Sequence, residues 1–409
     1  MIRDAIDRFN PELIVVIPTP VSEVICEDVM AAVQNFQDEH TAVIAIRSEV
    51  FSHRDKNYSS KKLASIAKRA YNSRQSEEIQ LMGCGFSEAM YAIVTQLMQQ
   101  CDTVRNSVNI EALDWGDEGY HVLREIENFL GKAGISVNAW LPCSNIATLK
   151  NAPRAELNIV KRVRWAQCMK EKFGTDYLIA DPSDRHAGLD GIGMFYREIA
   201  EKLGLSDVMD ELIDEKLRAI DAETGRMTHE ISQYRCLLVC NSISSAPGSI
   251  KRYVREFGLN IAAICIERGD ADRAEVIPSE VNEGLLTRIS DAAAVYAPDI
   301  RIVIDPDDSE VESLVKGIDV IVGSDKPIYE KYGTAVIPSS VLNFSLSYES
   351  YLRSYRRLLN CLIKASSHKD LILNRMPFTL SSYPRLETRS SHAARVMWEE
   401  MWLKRGRDQ

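Results

Sequence analysis

The chain has 409 residues, of which 26% are charged and 45% hydrophobic, and its formal net charge is -10. That length exceeds one ordinary core, so several domains are expected. The acidic balance excludes a general nucleic-acid binder, and no apolar run reaches the roughly 18 residues that a bilayer span requires.

The opening "MIRDAIDRFNPELIVV" carries acids where a secretory signal would be basic, so a cytoplasmic protein is expected. "LIVVIP" (13–18) is a continuous apolar run, as in a strand buried on both faces. A helix is expected over about 24–38, with Glu27 and Asp28 in its first turn, followed by a strand at "TAVIAI" (41–46). The stretch 54–82 reads as an inserted helical segment, basic in its first half. "SVNIEAL" (107–113) leads to a helix near 117–132, "GISVNAWL" to a short helix, and "DYLIAD" (176–181) to a helix near 189–203.

A long polar amphipathic helix, or a pair, covers about 205–233 and marks a junction. A second alternating series follows in "CLLVCN", "NIAAICIE", "RIVID", "DVIVGS" and "TAVIPS", closed by a helix near 346–365. Such βαβ alternation implies an α/β protein with parallel sheets covered by helices. The expected divisions are 1–106, 107–233, 234–369 and a tail at 370–409, whose Met397, Trp398, Met401 and Trp402 form an apolar stripe suited to a contact within the chain or with another subunit.

Nine cysteines are scattered without a CxxC pair, which in a reducing compartment argues against a disulfide framework. Cys236 and Cys240 fall on one face of a strand and read as core packing. No GxGxxG follows a strand and there is no GxxxxGK[ST], so no nucleotide site is expected in this chain. In open α/β sheets the ligand crevice lies at the carboxyl ends of the strands. That rule selects Thr19–Cys26, Asp114–Gly116, Asn241–Ser245, Gly323–Lys326 and Ser339–Asn343, with Asn241 and Ser324 as binding candidates. Asp181 and His186, in "ADPSDRHAG" at a strand end, are the candidates for acid–base work.

Several segments together resemble one family. "PELIVVIPTPVSEVICEDV" is similar to the strand, turn and "E-[IV]-I-G-D-D" helix start of the nitrogenase component 1 superfamily, which includes the molybdenum–iron protein subunits, their cofactor-scaffold relatives and protochlorophyllide reductase subunits. "EVFSH", "GFSEAMYAIVTQLM", "SVNIEAL", "NIATLKNAPRAELNIV", "RHAGLDGIGMFYREIAEKLG" and "GIDVIVGSDKPIYEKYG" resemble further family segments in the same order, over about 10–365. The resemblance implies three Rossmann-like domains and a cluster site between them or at an interface with a partner. It also implies a homologous sister subunit, or a second copy of this chain, and a separate P-loop iron–sulfur reductase that hydrolyses ATP.

The family's ligand positions are altered. The cysteine that follows the first strand falls at Pro20, and the one that holds the active-site cofactor falls at Lys161 or Arg162. The matching histidine falls around Pro338 to Val341. Arg154, Lys161, Arg162 and Arg164 form a basic cluster that reads either as the lining of an anion pocket or as a solvated helix face. Cys26, at a helix start, and Cys84 and Cys143, in loops, are the candidate iron–sulfur ligands, with small-residue packing as the competing reading. Two functions stay open. One is a β-like nitrogenase-type oxidoreductase subunit that relays low-potential electrons through an interface cluster. The other is a metal-free scaffold that keeps the cleft for a cofactor precursor, a tetrapyrrole or another anion.

Overall fold

The computed structural model describes residues 2–17, 29–34, 36, 40–46, 85–112, 119–182, 185–243, 245–267, 279–324, 329, 334–339 and 346–367. The chain divides into two compact units. The first holds residues up to Trp115, Gly119–Ala180 and Tyr196–Met209; the second holds Gly116–Glu118, Asp181–Phe195 and everything from Asp210.

In the first unit, α1 (Ile2–Phe9), β1 (Leu13–Val16), α2 (Val29–Gln34) and β2 (Ala42–Ala45) come first, and β1 pairs with β2 in parallel. After α3 (Gly85–Ala92), which runs on as a π-helical turn to Leu97, the chain lays down β3 (Val104–Glu111), α4 (Gly119–Lys132) and β4 (Ser136–Leu141). Next come α5 (Ile146–Lys150), β5 (Ala155–Val160), α6 (Val163–Phe173) and β6 (Asp176–Ile179). The resulting parallel sheet has the order β4-β3-β5-β6. The chain steps from β3 outward to β4, then crosses to the other side of β3 for β5, so the topological switch point lies between β3 and β5.

The strands of this sheet are buried toward their carboxyl ends and carry buried polar side chains there: Ser107 and Glu111 in β3, and two asparagines. Asn109 and Asn158 are fully buried, and each lies in the middle of a strand. Asn109 Nδ2 donates to Asn158 Oδ1 at 2.8 Å, while Asn138 Nδ2 donates to Asn109 Oδ1 at 2.9 Å. The three amides form a ladder across β4, β3 and β5 that offsets the cost of burying polar groups. Trp165 and Met169 of α6 join Met90, Val94, Ile44 and Leu141 in the core below.

Helices α7 (Gly188–Leu203) and α8 (Ser206–Ile231) follow, α8 being one continuous helix of 26 residues. The second unit contains β7 (Arg235–Cys240), α9 (Ala246–Ile250), β8 (Asn260–Ile266), α10 (Ser279–Tyr296), β9 (Arg301–Ile304), α11 (Asp308–Val315), β10 (Val320–Val322), β11 (Ala335–Ile337) and α12 (Tyr348–Ser367). Its parallel sheet has the order β11-β10-β7-β8-β9, so its switch point lies between β7 and β10. Gly323, just after β10, has φ of +95°, and a Cβ there would stand 2.3 Å from the Val239 carbonyl oxygen. Only glycine lets the end of β10 approach β7 so closely. Cys236, Cys240 and Cys265 lie buried in this sheet, and burial pushes each thiol up to about 12. They pack as small apolar residues.

Candidate functional site

The carboxyl edge of the four-stranded sheet carries a cluster of buried and half-buried charges. Glu111 is the last residue of β3 and its side chain is fully buried. Its Oε2 accepts the backbone N–H of Lys161 at 3.0 Å and that of Arg162 at 3.1 Å. Its Oε1 accepts Arg162 Nη1 at 2.5 Å. Arg162 is the N-cap of α6 and has extended backbone geometry with no cap bond from its own side chain. The Glu111 carboxylate holds the two amides just ahead of the helix, at the end where the helix dipole favours an anion. The Arg162 guanidinium also lies over the Phe86 ring, 4.7 Å from its centroid.

A second pair lies beside the first. Arg164 forms an ion pair with Glu88 of α3, which is buried, and stacks over Tyr91 at 5.2 Å. Two guanidiniums on one side thus meet two carboxylates and two rings on the other, and charge is balanced within the cluster. Arg154 is not part of it. It ends the turn that precedes β5, while Lys161 follows that strand's last residue. Six residues of strand, about 20 Å, separate them. The basic run of the sequence is split between opposite edges of the sheet.

In the second unit, Asn241 follows β7 and donates from Nδ2 to the Gly323 carbonyl at 2.8 Å, bridging the β7–β10 switch point. Ser324 is buried beside it in sequence. At the end of β8, Tyr329 donates to Glu267 Oε1 at 2.9 Å, and both side chains are buried. Burial, together with the charge of Glu267 and the neighbouring Cys265, raises the Tyr329 pKa, so its hydroxyl stays a proton donor.

Asp181 and His186 close a turn on each other. The Asp181 amide donates to His186 Nδ1 at 3.0 Å, and the His186 amide donates to the Asp181 carbonyl at 2.8 Å. The His186 ring is fully buried and packs on Phe195 at 5.6 Å between centroids. A Cβ at Gly191 would stand 2.3 Å from the His186 carbonyl carbon. Glu256 accepts the Leu189 amide with both oxygens, at 2.9 and 3.0 Å, and burial raises its carboxyl pKa. The glycines and the histidine of this segment therefore have packing roles that sequence spacing alone did not reveal.

Of the three candidate thiols, Cys26 and Cys84 lie outside the described residues, as does Pro20. Cys143 is exposed, just past β4. Among the described residues no three His, Cys, Asp or Glu side chains gather as a metal site. At the end of β5, where the resemblance places a cofactor ligand, Lys161 and Arg162 offer cations, and their amides are bonded to Glu111. These residues do not fit an iron–sulfur cofactor held at that position. Glu111, the residue that organises the site, was not singled out from the sequence; an acid at the end of the run "SVNIE" was the available signal.

The comparisons with known proteins agree with this architecture. The family model for nitrogenase component 1 type oxidoreductases matches residues 1–362, so the chain belongs to that family. The solved structure of nitrogenase Cp1 at pH 6.5 aligns with a TM-score of 0.53 at 18% identity, covering 89% of this chain and 74% of that one. Nitrogenase Cp1 at pH 5 aligns at 0.54 and 18%, covering 90% and 74%. At that identity the likeness shows the fold. Among curated proteins none matches. No helix among the described residues is long and apolar enough to cross a membrane.

Proposed function

We propose that this chain is the non-catalytic, β-like subunit of a nitrogenase-like oxidoreductase, with the substrate site carried by a homologous sister chain. The observation that supports this reading most is the Glu111–Arg162 pair. In a component 1 fold, the position after β5 that the resemblance assigns to a cofactor thiolate holds an arginine, neutralised by a buried carboxylate. Such a subunit contributes shape, a second set of loops and an interface. Relay of low-potential electrons through shared thiolates, Cys26 foremost, is what the resemblance implies. It enters the proposal as that expectation, since Cys26 lies outside the described residues.

The test is reconstitution with a sister chain and an ATP-hydrolysing iron–sulfur reductase, following ATP-dependent reoxidation of the reductase. The expected result is electron uptake only when both component 1 chains are present. Uptake by the sister chain alone would overturn the proposal.

A metal-free scaffold is the second reading. It is favoured by the polar set at the β7–β10 switch point, where Asn241 bonds the Gly323 carbonyl, Ser324 is buried, and Ser242 bonds Ser245 in the serine-rich loop. Lys161 and Arg162, the other candidates for holding an anion, lie in the first unit, where Glu111 bonds the Lys161 amide and the Arg162 guanidinium.

A further inference from the structure

We infer that the β3–β5 switch point is a built carboxylate-binding site whose occupant is the protein's own Glu111. All the parts of an anion receptor are present. Two successive amides, from Lys161 and Arg162, converge on one oxygen at 3.0 and 3.1 Å. A guanidinium meets the other oxygen at 2.5 Å, and an aromatic ring at 4.7 Å supports its face. The amides lie just ahead of the first turn of an 11-residue helix, whose dipole adds to the attraction. The second independent feature is the bound group: a fully buried carboxylate, delivered by the last residue of a neighbouring strand, with each oxygen accepting a bond. Each oxygen has its own donors, two amides on one and a guanidinium on the other, a spacing set by the planar carboxylate already in place.

Two consequences follow for the wild-type chain. The receptor takes no outside anion, because its ligand is tethered and already in place at a high effective concentration. Arg162 is likewise not available to a substrate or cofactor unless Glu111 leaves. The site is thus held shut by an internal contact, and a free carboxylate replaces that contact once the side chain is cut back. The inference rests on the same Glu111–Arg162 pair as the subunit proposal, but anion rescue tests the former and electron uptake the latter, so either can fail without the other.

The experiment is chemical rescue. Glu111→Ala, Glu111→Ala/Arg162→Ala and wild type are unfolded thermally in formate, acetate, phosphate or chloride at equal ionic strength and pH. The expected result is a saturable rise in the midpoint of Glu111→Ala with formate and acetate, as binding to the folded state requires. Wild type, the double variant and the phosphate series should show no such rise. Equal responses in wild type and Glu111→Ala, a rise that survives loss of Arg162, or a rise with phosphate as large as with formate would each overturn the inference. Should Glu111→Ala not fold unaided, its refolding yield from urea in formate against chloride reads the same question. Equal yields would overturn it.

Discussion

Arg162→Ala removes one partner of a pair whose other member, Glu111, has no solvent access. Breaking a buried pair from one side costs about 3–5 kcal/mol, because the remaining charge is stranded. Two features set the expectation at the lower end. The Arg162 side chain keeps 22% of its exposure, so part of its charge already faces water. The Lys161 and Arg162 amides also stay on the carboxylate after truncation, since they belong to the backbone. Loss of the stack on Phe86 adds about 0.5–1 kcal/mol. The expected total is about 3 kcal/mol, read as a lowered midpoint in urea unfolding with an unchanged slope. Glu111→Gln should cost less, about 1–2 kcal/mol, because its oxygen still accepts the backbone N–H groups and the cation that loses its carboxylate, Arg162, is partly exposed to water. The double variant should lose less than the sum of the singles. An Arg162→Ala protein within about 0.5 kcal/mol of wild type, the range of an ordinary surface change, would refute the reasoning.

The remaining predictions concern thiols, backbone and pH. A neutral thiol reagent applied to the native protein should label exposed Cys143 and spare Cys236, Cys240 and Cys265, whose burial holds their thiols at about 12; peptide mapping that finds the buried three labelled alongside Cys143 would contradict the packing role. Gly323→Ala forces a side chain at φ +95° against the Val239 carbonyl and should cost about 1–3 kcal/mol in urea unfolding, whereas an unchanged midpoint would mean that β10 does not approach β7 so closely. Asp176 has a depressed carboxyl pKa of about 2: burial opposes its ionisation, but the bonds from Lys170 and Lys202 outweigh that. A depressed carboxyl binds fewer protons in the folded state, so its contribution is full above the unfolded value of 3.8 and disappears as pH falls through about 2. Asp176→Asn should flatten the acid limb of the stability curve by lowering stability above about pH 4 while leaving it little changed below about pH 2, and the loss should be modest because the group is partly exposed.

Strand positions were legible because buried parallel strands write themselves as apolar runs: "LIVVIP", "NIAAICIE" and "DVIVGS" overlap β1, β8 and β10. Their ends were less so: Ile17 continues the apolar run past the last residue of β1. The asparagines of "SVNIEAL" and "AELNIV" carried the family resemblance, and their physical reason is the amide ladder, which needs three strands to be seen at once. The site was less legible. Arg162 stood out as a cation, but its partner lies 51 positions away on another strand. Spacing along the chain cannot show which of many acids closes such a distance; only the β3–β5 register does. The glycines of "GLDGIGMF" matched no phosphate-binding spacing. Gly188 and Gly191 serve close approach to Glu256 and to the His186 backbone, a requirement that only tertiary contact reveals.

The end of β5, where the resemblance places a cofactor ligand, offers an iron–sulfur cofactor no ligand. Iron and acid-labile sulfide in protein carrying Cys26→Ala, Cys84→Ala and Cys143→Ala, prepared without oxygen and free of partner chains, test this most directly. The account predicts no stoichiometric iron, because the amides and guanidinium at the end of β5 are bound to Glu111 and supply no ligand. A full cluster per chain in that variant would place metal inside the subunit and contradict it.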